Sequence, residues 1–172
     1  MDGWLIFFRI LHVGSAMMWF GGAIIGGFFL QPTAKAFGSA GQPFMDHLMK
    51  GRGLGIFFPV VAALAILSGA ALYWHDSSGL QVAWITTPTG LAYTIGGLAA
   101  LVAFVGGLVL IGPSIAEQAA VQSELDHSDG VMTADQDRRL ARAEARMRLS
   151  SRLDLPLLVL AGLTMAVGRY LY

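Results

Sequence analysis

The chain has 172 residues, 55% of them hydrophobic and 13% charged, with a formal net charge of zero. A soluble domain carries about 25% charged residues, so the composition points to a membrane protein, and the neutral balance offers no footprint for nucleic acid. With no cysteine in the chain, disulfides, thiolate metal sites and cysteine nucleophiles are excluded.

A helix needs ~20 mostly apolar residues to cross a bilayer. Four such runs can be read in chain order. The first, roughly Leu5–Leu30, follows Met1 and Asp2 without the basic segment of a signal peptide, and is expected to be a retained first helix. A segment from Gln31 to Gly53 follows, with Phe37, Phe44, Met45, Leu48 and Met49 as the apolar side of a short amphipathic stretch lying on the membrane surface. The second run, Leu54–Trp74, has Pro59 in its expected first turn. The third, Pro88–Ile111, opens on Pro88 after Thr87 and is expected to close at Gly112–Pro113.

After it, His127–Ser128–Asp129–Gly130 reads as a turn. Thr133 and Gln136 make a capping-box pattern, and a basic helix over about 134–150 should follow, supported by a Glu144–Arg148 pair at i,i+4. Pro156 is expected to open the fourth run, Leu155–Leu171. The fold class is therefore all-α: one domain over 1–172, a bundle of four transmembrane helices at roughly 5–30, 54–74, 88–111 and 155–171.

Charge orients the bundle. Nine of the eleven Lys and Arg residues fall in the first and third connections: Lys35, Lys50 and Arg52, then Arg138, Arg139, Arg142, Arg146, Arg148 and Arg152. By the positive-inside rule these connections are cytoplasmic and both termini face outward across a bacterial inner membrane. Trp4, Tyr73, Trp74, Trp84, Tyr170 and Tyr172 then form an outer aromatic belt, with Phe28, Phe29, Phe37, Phe44, Phe57 and Phe58 toward the inner side.

Small residues recur at helical spacing. Gly14, Gly22 and Gly26 share a face of the first run; Ala92, Gly96, Ala100, Ala103 and Gly107 follow the third; Ala65 with Gly69 and Gly162 with Ala166 mark the others. Lipid gives helices no hydrophobic drive to associate, so close backbone approach supplies contact energy. Such faces pack the bundle internally, or dock a partner subunit or a second copy. The basic helix is either a solvated stem of the last span or an attachment to anionic headgroups or an acidic partner.

Ionisable groups within spans carry the functional candidates. Arg9 and His12 lie one turn apart on one side of the first helix, His75 with Asp76 ends the second, and Arg169 lies near the end of the fourth. Three chemistries use such a set: His12 and His75 ligating haem b with Arg9 or Arg169 on its propionates; His12, His75 and the thioethers of Met17, Met18 or Met165 holding copper; or His12 relaying protons beside a quinone. The structural alternative is that the arginines snorkel to the headgroups while His12 hydrogen-bonds Ser68, Thr164 or a backbone carbonyl. No nucleotide loop, HExxH or serine–histidine–acid pattern is present, and a non-catalytic protein is expected.

The stretch Leu11-His12-Val13-Gly14-Ser15-Ala16-Met17-Met18-Trp19-Phe20-Gly21-Gly22 resembles the opening helix of small bacterial membrane proteins of the copper-resistance D type. Met165-Ala166-Val167-Gly168-Arg169-Tyr170-Leu171 is similar to the closing helix of a related uncharacterised four-helix group. The first helix also resembles that of HemJ-type protoporphyrinogen oxidases, which implies a haem role for His12, although the basic residue those proteins carry in a later span has no counterpart in the third run. The resemblance supports the four-helix architecture and points to His12. The leading expectation is a non-catalytic membrane protein of the copper-resistance D-like kind, holding haem or copper near the outer leaflet. The alternatives are an accessory subunit packing through its glycine faces, and a HemJ-like oxidoreductase.

Overall fold

A computed structural model describes residues 3–128 and 131–171, apart from the side chains of Ser39 and Gln42. Every ordered element among the described residues is helical. Four helices are long and apolar enough to cross a membrane: α1 (Gly3–Ala36), α3 (Leu54–Asp76), α5 (Pro88–Asp126) and α6 (Ala134–Gly168). Two short helices, α2 (Gly41–Asp46) and α4 (Val82–Ile85), sit in the connections. An apolar backbone in lipid must satisfy its own amides, which a continuous helix does.

The helix starts follow local chemistry. Thr87 caps α5 by accepting from the Gly90 amide at 3.0 Å, with Pro88 in the first turn where its missing N–H costs nothing. Thr133 and Gln136 form the expected capping box on α6. Gly53 precedes α3 with φ +71°, a left-handed conformation that glycine adopts without steric cost.

The helix ends depart from the proline punctuation. Gly112–Pro113 does not close the third helix, which continues to Asp126 through a π turn at Gly107–Ile111. The same device recurs in α1, where a π turn at Gly26–Leu30 precedes Pro32. In both places the wider turn comes immediately before a proline that cannot donate to the preceding turn, so the chain accommodates the missing bond without breaking. Pro59 lies inside α3 rather than in its first turn. Pro156 likewise lies within α6, so the basic helix and the fourth span are one element.

The bundle is two antiparallel pairs. The largest interfaces join α1 to α3 and α5 to α6, with smaller ones between α3 and α5 and between α1 and α6. Trp4 packs on His75, Tyr73 bonds Thr94 at 2.6 Å, and the Thr89 hydroxyl donates to the Leu171 carbonyl. That string of contacts brings the beginning and end of the described chain together, at the terminal end of the bundle. Ala99, Ala100 and Ala161 are buried at the centre, with Trp19, Ile66 and Leu157 packed against them. Trp19 meets Phe104 edge-on at 6.3 Å, tying α1 to α5.

The glycine faces divide into two kinds. A Cβ on Gly96 would lie 2.6 Å from Thr164 Oγ1 and 3.2 Å from the Ala161 carbonyl oxygen, and one on Gly22 would lie 2.0 Å from the Phe58 ring. Gly96 allows close backbone approach within the bundle, and Gly22 leaves room for the Phe58 ring. A Cβ on Gly14, Gly26, Gly107 or Gly162 would meet no atom within 4 Å, so the expectation of internal packing does not hold for them: they face outward because the helix partners contact other sides.

At the opposite end, α5 and α6 run on as a stalk beyond the apolar spans. Ser114, Val121, Gln136, Ala143 and Ser150 are buried between them. Arg139 bridges both Glu117 and Glu124, the latter at 2.8 Å, and Gln136 donates to Glu124 at 3.0 Å. Glu144 and Arg148 form the expected surface pair at 2.9 Å.

Candidate functional site

His12 is seated in the interface between α1 and α3. Its Nδ1 is 2.8 Å from the carbonyl oxygen of Ala65. A carbonyl can only accept, so Nδ1 carries the proton, and in the neutral ring Nε2 holds the lone pair. The seat exists because α3 has Gly69 one turn after Ala65. A Cβ there would lie 2.7 Å from His12 Cε1 and 3.0 Å from Nδ1. The small pair Ala65 and Gly69, readable in the sequence as a packing face, is thus the cradle of an imidazole.

Nε2 makes no hydrogen bond among the described residues. Nor, among them, does any fully buried side-chain nitrogen or oxygen lack a partner. His12 Nε2 is therefore not fully enclosed, in a half-buried ring. An imidazole nitrogen with its tautomer set by a backbone carbonyl and its other nitrogen accessible is the arrangement that metal-ligating histidines use.

Around it, polar groups are satisfied locally. Ser15 and Ser68, both buried, direct their hydroxyls to carbonyls of their own helices; Ser68 shares the Ala65 oxygen at 3.3 Å. Ser68 is thus a neighbour of the seat, and Ala65 supplies the backbone acceptor.

The other candidates occupy different places. His75 lies at the end of α3, edge-on to Trp4 with ring centroids 5.1 Å apart, and its Nδ1 is 3.3 Å from Asp76 Oδ1. Ten residues separate His75 from Ala65, about 15 Å along a helix. Trp4 stands eight residues before His12, about 12 Å by the same rise. The two histidines therefore sit at different levels of the same helix pair.

Arg9 is exposed on the flank of α1 beside a shallow recess lined by Ile10, Val13 and Gly14. It is near His12 in sequence but does not share its seat, because the ring turns into α3. Arg169 follows the last turn of α6, stacked over Tyr170 at 4.7 Å. Among the described residues no hydrogen bond, ion pair or ring contact joins any two of these four side chains. All four belong to the terminal half of the bundle, on three helices.

Of the sulfur candidates, Met17 and Met18 are 70% and 56% exposed and turn out of the bundle, while Met165 packs at Gly96. Among the described residues no three His, Asp or Glu side chains gather as a metal-binding group.

The connection after α3 is strained. Ser78, Gly79 and Leu80 all have positive φ, at 49°, 82° and 67°, an unfavourable conformation for the two non-glycines. Buried Ser77 stabilises it, accepting from the Leu80 amide at 2.9 Å. The turn closes back on the end of α3, the Gly79 and Ser78 amides donating to the Trp74 and His75 carbonyls at 2.9 and 3.0 Å.

One titratable group is not apparent from the sequence pattern. Asp154, expected only to precede the last span, lies inside α6 and faces Gly106 of α5, with Ser150 donating to its Oδ2 at 3.0 Å. Its spacing of four from Ser150 is the available signal. It sits far from His12, at the stalk end.

No family model matches the chain, and neither the curated proteins nor the solved structures include one significantly similar to it.

Proposed function

We propose that this is a non-catalytic integral membrane protein of the copper-resistance D-like kind, which holds a haem b or copper group near the outer leaflet through His12. The observation that carries the reading is the His12 seat: Nδ1 donates to Ala65 and Nε2 is left open. In lipid an unpaired imidazole acceptor is costly, so a group that engages it is favoured. Haem suits the site better than copper, because it needs a single protein nitrogen from this chain and the Met17 and Met18 thioethers turn away. Haem would supply one-electron chemistry. In this reading Arg9 and Arg169, at the same end of the bundle, would pair with its propionates, and His75 is a rim residue.

The proposed orientation puts both termini outside and α2 with the α5–α6 stalk in the cytoplasm of a bacterial inner membrane. It rests on the basic residues of those segments. A periplasm-active reporter after Tyr172 should be active, and one near Gly130 silent; the reverse would overturn the orientation.

The chemical test is composition. Protein purified in mild detergent should contain about one equivalent of haem by pyridine haemochrome or of copper by elemental analysis, the single-site expectation from one seat. His12→Ala should lack it while still inserting. An empty wild-type protein would favour a second reading, an accessory subunit of a larger membrane complex. The outward Gly14 and Gly26 on α1, whose apolar window is 6% buried against 17–22% for the other three, support that alternative.

A further inference from the structure

The stalk carries a charge pattern that its own carboxylates do not neutralise. Arg139 is committed to Glu117 and Glu124, Arg148 to Glu144, and Arg138 to Asp135. Arg142 and Arg146 are exposed and have no carboxylate partner among the described residues. At 100° per residue, Arg142, Arg146, Leu149 and Leu153 fall within about 60° of the α6 circumference, with the Arg138–Asp135 pair at the outer end of the same side. Leu149 and Leu153 are 50% and 48% exposed. The stripe is cationic away from the membrane and apolar beside it, and it flanks the side of α6 that packs on α5 through Ala143 and Ser150.

Lipid headgroups do not reach the outer part of this stripe. Arg142 stands 13 residues beyond Leu155, about 20 Å along the helix, whereas the headgroup layer adds only about 5–7 Å to each side of the hydrocarbon and surface charge is screened within about 8 Å. A second copy applied to the same face would set arginine against arginine, which disfavours an isologous pair. Arginine is enriched in protein interfaces over the rest of the surface, and the exposed leucines offer apolar area to bury.

We infer that this face of the stalk docks an acidic helix of a partner protein, which carries carboxylates at four-residue spacing and apolar residues at its membrane-proximal end. The inference deepens the accessory-subunit reading and does not use His12, so a haem-free protein leaves it intact.

The test uses the full-length protein in phosphatidylcholine nanodiscs. The probe is a synthetic helical peptide with glutamates at positions 1, 5 and 9 and leucines at 12 and 16. Binding is read by fluorescence anisotropy at physiological ionic strength, beside a sequence-scrambled peptide of the same composition. The wild type should bind the patterned peptide at least tenfold more tightly than the scrambled one. Arg142→Glu/Arg146→Glu should abolish that preference and transfer it to the lysine version of the peptide, whereas Arg148→Glu, on another side of α6, should leave it within about twofold; helicity by circular dichroism checks that each variant folds. Equal binding of patterned and scrambled peptides would overturn the inference. So would an equal loss in Arg148→Glu, since either marks general charge attraction. Finally, a photoreactive side chain at position 146 that labels only phosphatidylglycerol in native membranes would assign the face to lipid and overturn it.

Discussion

Helices α5 and α6 meet through alanine and glycine along their apolar length and through an ion-paired stalk beyond it, whereas α1 and α3 meet where glycines make room for rings, Gly22 for Phe58 and Gly69 for His12. In the first pair, small residues bring backbones together: Gly96 lies against Thr164 and the Ala161 carbonyl. In the second, Gly69 provides space for an imidazole, and the contact that results is a hydrogen bond. The same residue type at the same spacing serves packing in one pair and positioning in the other. What distinguishes them is the group that fills the notch, and a titratable group with one open nitrogen is the one with chemistry left to do.

The comparison can be broken by mutation. The largest effect should come from Gly96→Leu, whose Cβ would meet the Ala161 backbone oxygen at 3.2 Å, an atom that cannot move without moving the helix. Overpacking of that kind costs about 1–3 kcal/mol or more, and thermal unfolding in detergent should show it against Gly162→Leu, which has open space and should be near neutral. Gly69→Ala should have a smaller cost, since the obstructing atoms belong to a side chain. Displacing His12 forfeits its bond to Ala65, worth roughly 1 kcal/mol, and any chromophore should weaken with it. If Gly69→Ala left both unchanged, the seat would not be what holds the ring.

The stalk should respond separately. Arg139→Ala leaves two carboxylates on one side of α5 without their shared cation, so proteolysis within 112–150 should accelerate while the spans stay intact. Acid should act in the same direction. Hydrogen bonds from Arg139, and then from Gln136, hold the Glu124 carboxyl below its ordinary range. A lowered folded-state value means the stabilisation is present above the unfolded value and is lost as pH falls through the folded one. Hydrogen exchange in the stalk should rise only below the ordinary glutamate range, with the spans unaffected. The smallest effect belongs to His75→Ala, which removes a ring from Trp4 at the rim and should alter neither assembly nor spectra.

Much of the architecture is legible in the sequence because lipid permits few solutions: apolar runs of sufficient length must be helices, and the capping signals at Thr87 and Thr133 begin two of them. The prolines mislead because Gly112–Pro113 and Pro156 carry the signals of helix boundaries, while neighbouring helices and a π turn keep the chain continuous there. For the site, His12 stands out as an ionisable group in a span, but its partner does not. Ala65 and Gly69 are legible as a small-residue pair, and a backbone carbonyl as a candidate acceptor. Residue type does not say that this pair faces His12, since Ala65 acts through its carbonyl and Gly69 through an absent side chain. His75 and Arg9 share the terminal half of the bundle with His12 without sharing its seat, since hydropathy gives depth along a helix but not the direction in which a side chain turns. Asp154 is hidden by the expectation that Pro156 starts a new helix.

The most direct measurement is the oxidised and dithionite-reduced absorption spectrum of wild-type protein beside His12→Ala and His75→Ala, all gently solubilised. The wild type should show a Soret band that disappears in His12→Ala and persists in His75→Ala. A band that survives His12→Ala, or that is lost equally in both variants, would contradict a cofactor held through the His12 seat.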